Sequence, residues 1–256
     1  MTTTTRFAGR TALVTGAGSG IGRDIALAFA AEGAQVVVAG RRREPLSDTV
    51  RLIEEVGGKA LAVTADVSRG AEIEAVMEAA VDRFGSLDVA VNNAGVFRGG
   101  QPLADLSSAH WQEQLDINLT GVFLALRAEV RRMRSQSSGG AIVNIASSIG
   151  AHTRRPGAAA YAATKAAVSA LTRGAALDHI RDGVRINAVS PGPVDTPMSL
   201  RPGETDADRA DRLRSAVPLG RVSSRSEIAA AVLYLASDDA SSVVGTDLVV
   251  DSGATA

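Results

Sequence analysis

Apolar residues return along this chain with two alternating periods. Short β-branched runs, Thr11–Thr15, Gln35–Ala39, Lys59–Thr64, Leu87–Val91, Ala141–Ala146, Val184–Val189 and Asp247–Val250, read as buried strands. Between them the apolar positions recur every three to four residues. That spacing predicts helices to about Ala31, over Glu44–Val56 and Arg69–Phe84, from Ser107 or Ser108 to about Met133, around Tyr161, near Thr205–Ala216 and over Glu227–Ser237. Strand and helix in alternation imply an α/β fold with a doubly wound parallel sheet and right-handed crossovers. No repeat or linker divides residues 1–256, so the expectation is one domain with a flexible tail over 1–6. Residues 195–219, rich in Pro, Gly and charge, form the least periodic long segment and are the candidate substrate lid.

Two stretches carry candidate chemistry. The first strand opens into Gly16-Ala-Gly18-Ser-Gly20-Ile-Gly22, and a helix follows. A glycine-rich strand-to-helix turn lets backbone amides and a helix N-terminus approach a pyrophosphate. The lysine of a nucleotide-hydrolase loop is missing, which disfavours ATP or GTP hydrolysis. After the second strand, where an acid would bind a ribose 2′-hydroxyl, the chain has Gly40-Arg41-Arg42-Arg43. Guanidinium groups suit a 2′-phosphate. For Arg42 and Arg43 a solvated helix start stays open. Asp66, just past the third strand, reads as an adenine contact, a helix N-cap or both.

The second stretch is Tyr161-Ala-Ala-Thr-Lys165. On a helix, residues four apart share a face, so a phenol and an ammonium are neighbours. The cation is expected to lower the phenol's pKa and fit it for proton transfer. Two of the 27 basic residues are Lys, and Lys165 is one of them. A compact ammonium is therefore wanted where Arg serves elsewhere.

Composition narrows the class. The net charge of −1 makes no electrostatic case for nucleic acid or an anionic membrane. There is no cysteine for disulfide or thiolate chemistry, and the three histidines lack metal-ligand spacing. No apolar run is long enough to span a membrane, and the polar N-terminus is unlike a signal peptide, so a cytoplasmic protein is expected.

Taken in order, Thr15-Gly-Ala-Gly-Ser-Gly-Ile-Gly22, Asn92-Asn-Ala-Gly95, Asn118 inside the long helix, Ser148, Tyr161-x-x-x-Lys165, Pro191-Gly192 and Val250-Asp-Ser-Gly253 resemble the short-chain dehydrogenase/reductase family from Phe7 to Ala254. The last motif has Ser where Gly is commoner. The resemblance implies a Rossmann-type sheet of seven strands in the order 3-2-1-4-5-6-7, with helices on both faces. It implies that Tyr161 is the general acid or base and that Lys165 lowers its pKa and holds the nicotinamide ribose. Ser148 stabilises the substrate oxygen, and Asn118 anchors a water leading to Lys165. Ser147, one position off, is taken as structural. The implied cofactor-binding residues are Thr15, Gly16, Ser19, Gly20, Ile21, Gly22, Arg41, Asp66, Val67, Asn93, Ala94, Gly95, Tyr161, Lys165, Pro191, Gly192, Val194 and Thr196. Implied substrate contacts are Ser148, Tyr161, Phe97, Gly150 and Met198, with no metal.

The expected function is an NADP-preferring oxidoreductase acting on a small-molecule ketone or secondary alcohol, with NAD as the other cofactor. Alternatives are a 3-oxoacyl-[acyl-carrier-protein] reductase, an NAD-dependent alcohol dehydrogenase and, remotely, a non-catalytic dinucleotide sensor. Arg127, Arg131, Arg132 and Arg134 would serve an acidic carrier if they flank the active-site mouth; Asp182 would oppose it. A homotetramer built on the long helices and the C-terminal helix and strand is implied.

Overall fold

The computed structural model describes residues 5–196, 199, 203–214 and 217–256, with Asp206 described by its backbone alone. Met198 lies outside the described residues. The strands are β1 (Thr11–Thr15), β2 (Gln35–Gly40), β3 (Lys59–Thr64), β4 (Val89–Asn92), β5 (Gly140–Ile145), β6 (Val184–Pro191) and β7 (Asp247–Val250). All pair in parallel, in the order β3-β2-β1-β4-β5-β6-β7.

Helices cover both faces: α1 (Gly20–Ala31), α2 (Arg43–Glu55), α3 (Gly70–Phe84), α4 (Ser108–Leu115), α5 (Gly121–Met133), the single turn α6 (Ser148–Ala151), α7 (Ala159–His179), α8 (Asp206–Arg214) and α9 (Arg225–Ala236). Strand side chains alternate between two cores. Ala12, Val14, Val36, Val38, Val89 and Val91 pack with Ile25 and Phe29 of α1, Ile53 of α2 and Val232 of α9. Leu13, Val37 and Ala90 pack with Val76 of α3, Leu126 of α5 and Val168 of α7. Every strand side chain of β1 is buried, so no polar face interrupts the run.

Two expectations need correction. Arg6, expected within a flexible tail, pairs with Glu32, and Phe7 is fully buried against Phe29. The long helix from Ser107/Ser108 to Met133 is also interrupted. Ser107 caps α4 by accepting from the His110 amide, but Asp116–Thr120 form a π-helical turn before α5 begins. Such turns occur where a side chain must be aimed at a site, and this one carries Asn118.

Candidate active site

The sheet order reverses between β1 and β4, and ligands in open parallel sheets bind in the crevice beyond the strand ends at such a reversal. A cleft of about 380 Å³ lies there. Of the predicted residues it is lined by Gly16, Ser19, Gly20, Ile21, Gly22, Arg41, Asp66, Val67, Asn93, Ala94, Gly95 and Thr196. Gly18, Gly40, Arg42, Pro45, Leu46, Ala65, Val96 and Ile117 complete the lining. Apolar Pro45, Leu46 and Ile117 were missed because each also fits its own helical pattern.

The glycine loop is shaped by close approach. A Cβ on Gly22 would stand 2.5 Å from the Gly16 carbonyl oxygen and strike the Asn93 side chain; one on Gly16 would lie 2.9 Å from Asn93 Nδ2. Gly20 has φ +56° at the start of α1. Ser19 caps α1 without a side-chain hydrogen bond, and the first turn holds no acid. The amides of this helix end therefore point at the cleft with their positive pole uncompensated. At the far end stand Arg41 and Arg42, with no acid at the tip of β2. These features fit a phosphate-rich dinucleotide.

Four predicted cofactor residues stand behind the cleft. Thr15 Oγ1 accepts from the Asn93 and Ala94 amides at 3.0 and 3.1 Å, and so fixes the loop after β4. Gly192 packs on Asp251, Val194 is buried beside Ser223, and Pro191 closes β6. Asp66 is not the N-cap of α3, which is Arg69; its carboxylate accepts from the Ser68 amide and hydroxyl at 3.0 and 2.7 Å. Burial pushes that carboxyl up, but the Ser68 bonds and the charges of Arg41 and Arg69 outweigh it and hold it below its ordinary value.

Gly95 joins the cleft to the candidate catalytic groups. A Cβ there would lie 3.3 Å from Asn118 Oδ1 and 3.6 Å from Lys165 Nζ. Asn118 is fully buried; it accepts from the Val96 amide at 2.8 Å and donates to the Val96 carbonyl at 2.9 Å. Lys165 donates to the Ile145 carbonyl at 2.6 Å, and burial lowers its pKa to about 8. Phe97 meets the Tyr161 ring edge-on, 5.3 Å between centroids.

The structure changes two expectations here. Burial raises the Tyr161 pKa, and the Ser147 hydroxyl opposes it by hydrogen bonding; Lys165 does not set the balance. Its Nζ lies 5.9 Å from the Tyr161 ring centroid and is spent on Ile145. The serine beside the phenol is therefore Ser147, not Ser148. Ser147 keeps an extended backbone (φ −167°, ψ 150°) past β5, and its oxygen accepts from the Ile149 amide at 3.2 Å. Ser148 turns into α6 and is buried. Gly150, an implied substrate contact, packs closely on α7: a Cβ on it would stand 2.9 Å from the Ala166 amide nitrogen. No metal-ligating cluster occurs among the described residues.

A family model described as enoyl-(acyl carrier protein) reductase matches residues 16–255. The chain is 43% identical over 251 residues to cis-4-hydroxycyclohexanecarboxylate dehydrogenase of Sinomonas cyclohexanicum, covering 98% of each. It belongs to the short-chain dehydrogenase/reductase family. It is also 41% identical to 3beta-hydroxysteroid dehydrogenase 1 of Eggerthella lenta, over 96% of this chain and 94% of that one. A solved short-chain type dehydrogenase/reductase from Mycobacterium marinum superposes with a TM-score of 0.92 at 37% identity, covering 98% of both chains. The chemistry of the family site is exchange of a hydride between a nicotinamide cofactor and a CH–OH/C=O pair.

Proposed function

We propose that this protein is an NADP(H)-preferring oxidoreductase of a small, ring-borne secondary alcohol and its ketone, with Tyr161 as general acid or base. The observation that carries the reading is the convergence of the Tyr161 phenol and the Ser147 hydroxyl on a side reached from the glycine cleft through Gly95, Asn118 and Lys165. When bound, the cofactor supplies or accepts the hydride. Tyr161 gives its proton to the carbonyl oxygen in reduction and takes it from the alcohol in oxidation. Ser147, its oxygen fixed by the Ile149 amide, donates to the same substrate oxygen and offsets developing charge. Lys165 and Asn118 hold the floor between Tyr161 and the cleft. The ring-borne class rests on the two relatives' hydroxylated carbocycles and on the aromatic wall of Phe97 beside Tyr161.

The cofactor preference rests on Arg41, which lines the cleft where an acid would otherwise bind a ribose hydroxyl. Arg41→Ala should weaken NADPH binding by about 10–100-fold, the value of a hydrogen bond to a charged group, and NADH binding far less. Dissociation constants for both cofactors check this; tighter NADH binding by the unmodified protein overturns it.

Carrier-bound 3-oxoacyl reduction is the second reading; the family model's description shares its acyl carrier protein but names an enoyl group, a C=C rather than a C=O bond. Of the four arginines expected to flank the mouth, the three at the end of α5 count against this reading. α5 (13 residues) runs back from the π turn, so Arg131, Arg132 and Arg134 lie about 15–20 Å along it from its cleft end. Asp182 stands at the foot of α7, where it pairs with His179, so it bears on the mouth no more than they do. Arg98, nearer the mouth, is occupied by Glu113. Catalytic efficiency on a carrier-linked 3-oxoacyl group should not exceed that on the same group as a small thioester. A large advantage lost at high salt establishes the carrier reading.

A cytoplasmic location accords with the described helices, none of which is long and apolar enough to cross a membrane. Support for a homotetramer comes from Trp111 and Phe123 on α4 and α5 and Tyr234 on α9, all partly exposed.

A further inference from the structure

Gln114 stands on α4 one helical turn before Asn118 and is completely buried. A buried carboxamide must find partners for both ends. Gln114 Oε1 accepts from the Arg98 amide at 3.1 Å, and Nε2 donates to the Arg98 carbonyl at 3.1 Å and to the His110 carbonyl at 3.2 Å. Asn118 makes the same two-bond pairing with Val96. Two carboxamides spaced four residues apart, one on α4 and one in the π turn that follows it, thus grip the peptides of alternate residues, as a neighbouring strand would. In extended chain the intervening residue's side chain points to the opposite face from those of its two neighbours. The intervening residue is Phe97, whose ring packs on Tyr161.

The same segment is held twice more. Glu113, next to Gln114, takes the Arg98 guanidinium with bonds of 2.7 and 2.9 Å. Beyond it the Gly100 amide donates to Gly157, on the approach to α7, at 2.8 Å. Neither contact fixes the Arg98 peptide itself; only Gln114 does so among the described side chains.

We propose that Gln114 is a positioning residue for the reaction: by clamping the Arg98 peptide it sets the pose of Phe97 against Tyr161, and with it the wall that orients the substrate carbonyl. The inference rests on Tyr161 being the acid–base group. Small displacements of orienting groups cost rate steeply, because productive geometry is narrow.

Gln114→Met keeps the length and apolar bulk of the side chain but cannot pair with the peptide. With a cyclic ketone and NADPH, it should lower kcat/KM by about tenfold or more and raise the ketone KM, leaving the NADPH dissociation constant within about twofold. Phe97→Ala should also lower kcat/KM, and Gln114→Met added to Phe97→Ala should cost nothing further, because the clamp acts through the ring. Gln114→Glu retains an acceptor for the Arg98 amide and should recover part of the loss; if Gln114→Met does not fold, the same cycle is run with Gln114→Glu. Unchanged kcat/KM in Gln114→Met, or losses that add in the double variant, overturn the proposal. Either result beside an inactive Tyr161→Phe variant defeats this inference alone. Near-normal turnover by Tyr161→Phe defeats the reading beneath it.

Discussion

Replacing Tyr161 with Phe should lower turnover by about 10²–10⁴-fold, the usual span of a general acid–base contribution. The ring stays, so its edge contact with Phe97 is preserved and the substrate wall keeps its shape. The transferable proton goes. Cofactor affinity should hardly change, because Tyr161 does not line the glycine cleft. Single-turnover rates, with NADPH binding measured separately, check both halves; near-normal turnover on a good substrate refutes the assignment. Serine variants refine the same prediction. Ser147→Ala removes the hydroxyl that opposes the rise in the phenol's pKa and should fall toward Tyr161→Phe, whereas Ser148→Ala should retain most activity. The reverse order would restore Ser148 to the role its sequence position implies.

Stability should fall as pH rises from about 4.5 to about 8, through the titration of Glu129. This carboxyl is fully buried on α5, and burial raises its pKa to about 7 against one opposing hydrogen bond from Asn92 Nδ2 at 2.9 Å. Asn92 also donates to Asn144, which donates to Thr172 of α7, so the acid anchors a polar chain across β4 and β5. Among the described residues, Glu129 Oε1 and Asn92 Oδ1 both lack partners. Buried acceptors without partners are costly, and a proton on the carboxyl turns one of them into a donor. Because the folded state holds this proton more tightly than the unfolded chain does, the stabilisation is complete below the unfolded pKa. It is lost as pH rises through the folded value. A shift of that size is worth roughly 3 kcal/mol. Glu129→Gln supplies an N–H at any pH and should flatten the dependence. Urea midpoints between pH 5 and pH 8 for both proteins measure it, and parallel pH dependences would show that Glu129 does not titrate in this range.

Local pattern was sufficient for the frame of the molecule. β1 and β3 begin and end where the apolar runs do, and the parallel α/β class follows from strand–helix alternation. The glycine loop was legible because its function is local: Gly16 and Gly22 are demanded by contacts inside one strand–turn–helix unit and its neighbour Asn93. Tyr161 and Lys165 were legible as a pair because helical spacing alone brings them to one face.

What pattern left undecided depends on distant chain segments meeting. The adjacent serines 147 and 148 differ only in which hydroxyl the end of β5 turns toward α7, so the choice falls to tertiary structure. Lys165 meets Ile145 rather than the phenol oxygen, because burial leaves its ammonium in need of a carbonyl and β5 offers one. The arginines of α5 read as a basic patch in sequence, yet the direction of the helix carries its far end away from the cleft. The π turn at Asn118 and the clamp of Gln114 on Arg98 are invisible to periodicity, since a polar residue on an apolar face has the same pattern whether it faces water or a buried peptide. Sequence alone determined the elements and the residue types that carry the chemistry; tertiary structure decided which of those residues meet, because hydrogen bonds and burial depend on partners brought from elsewhere in the chain.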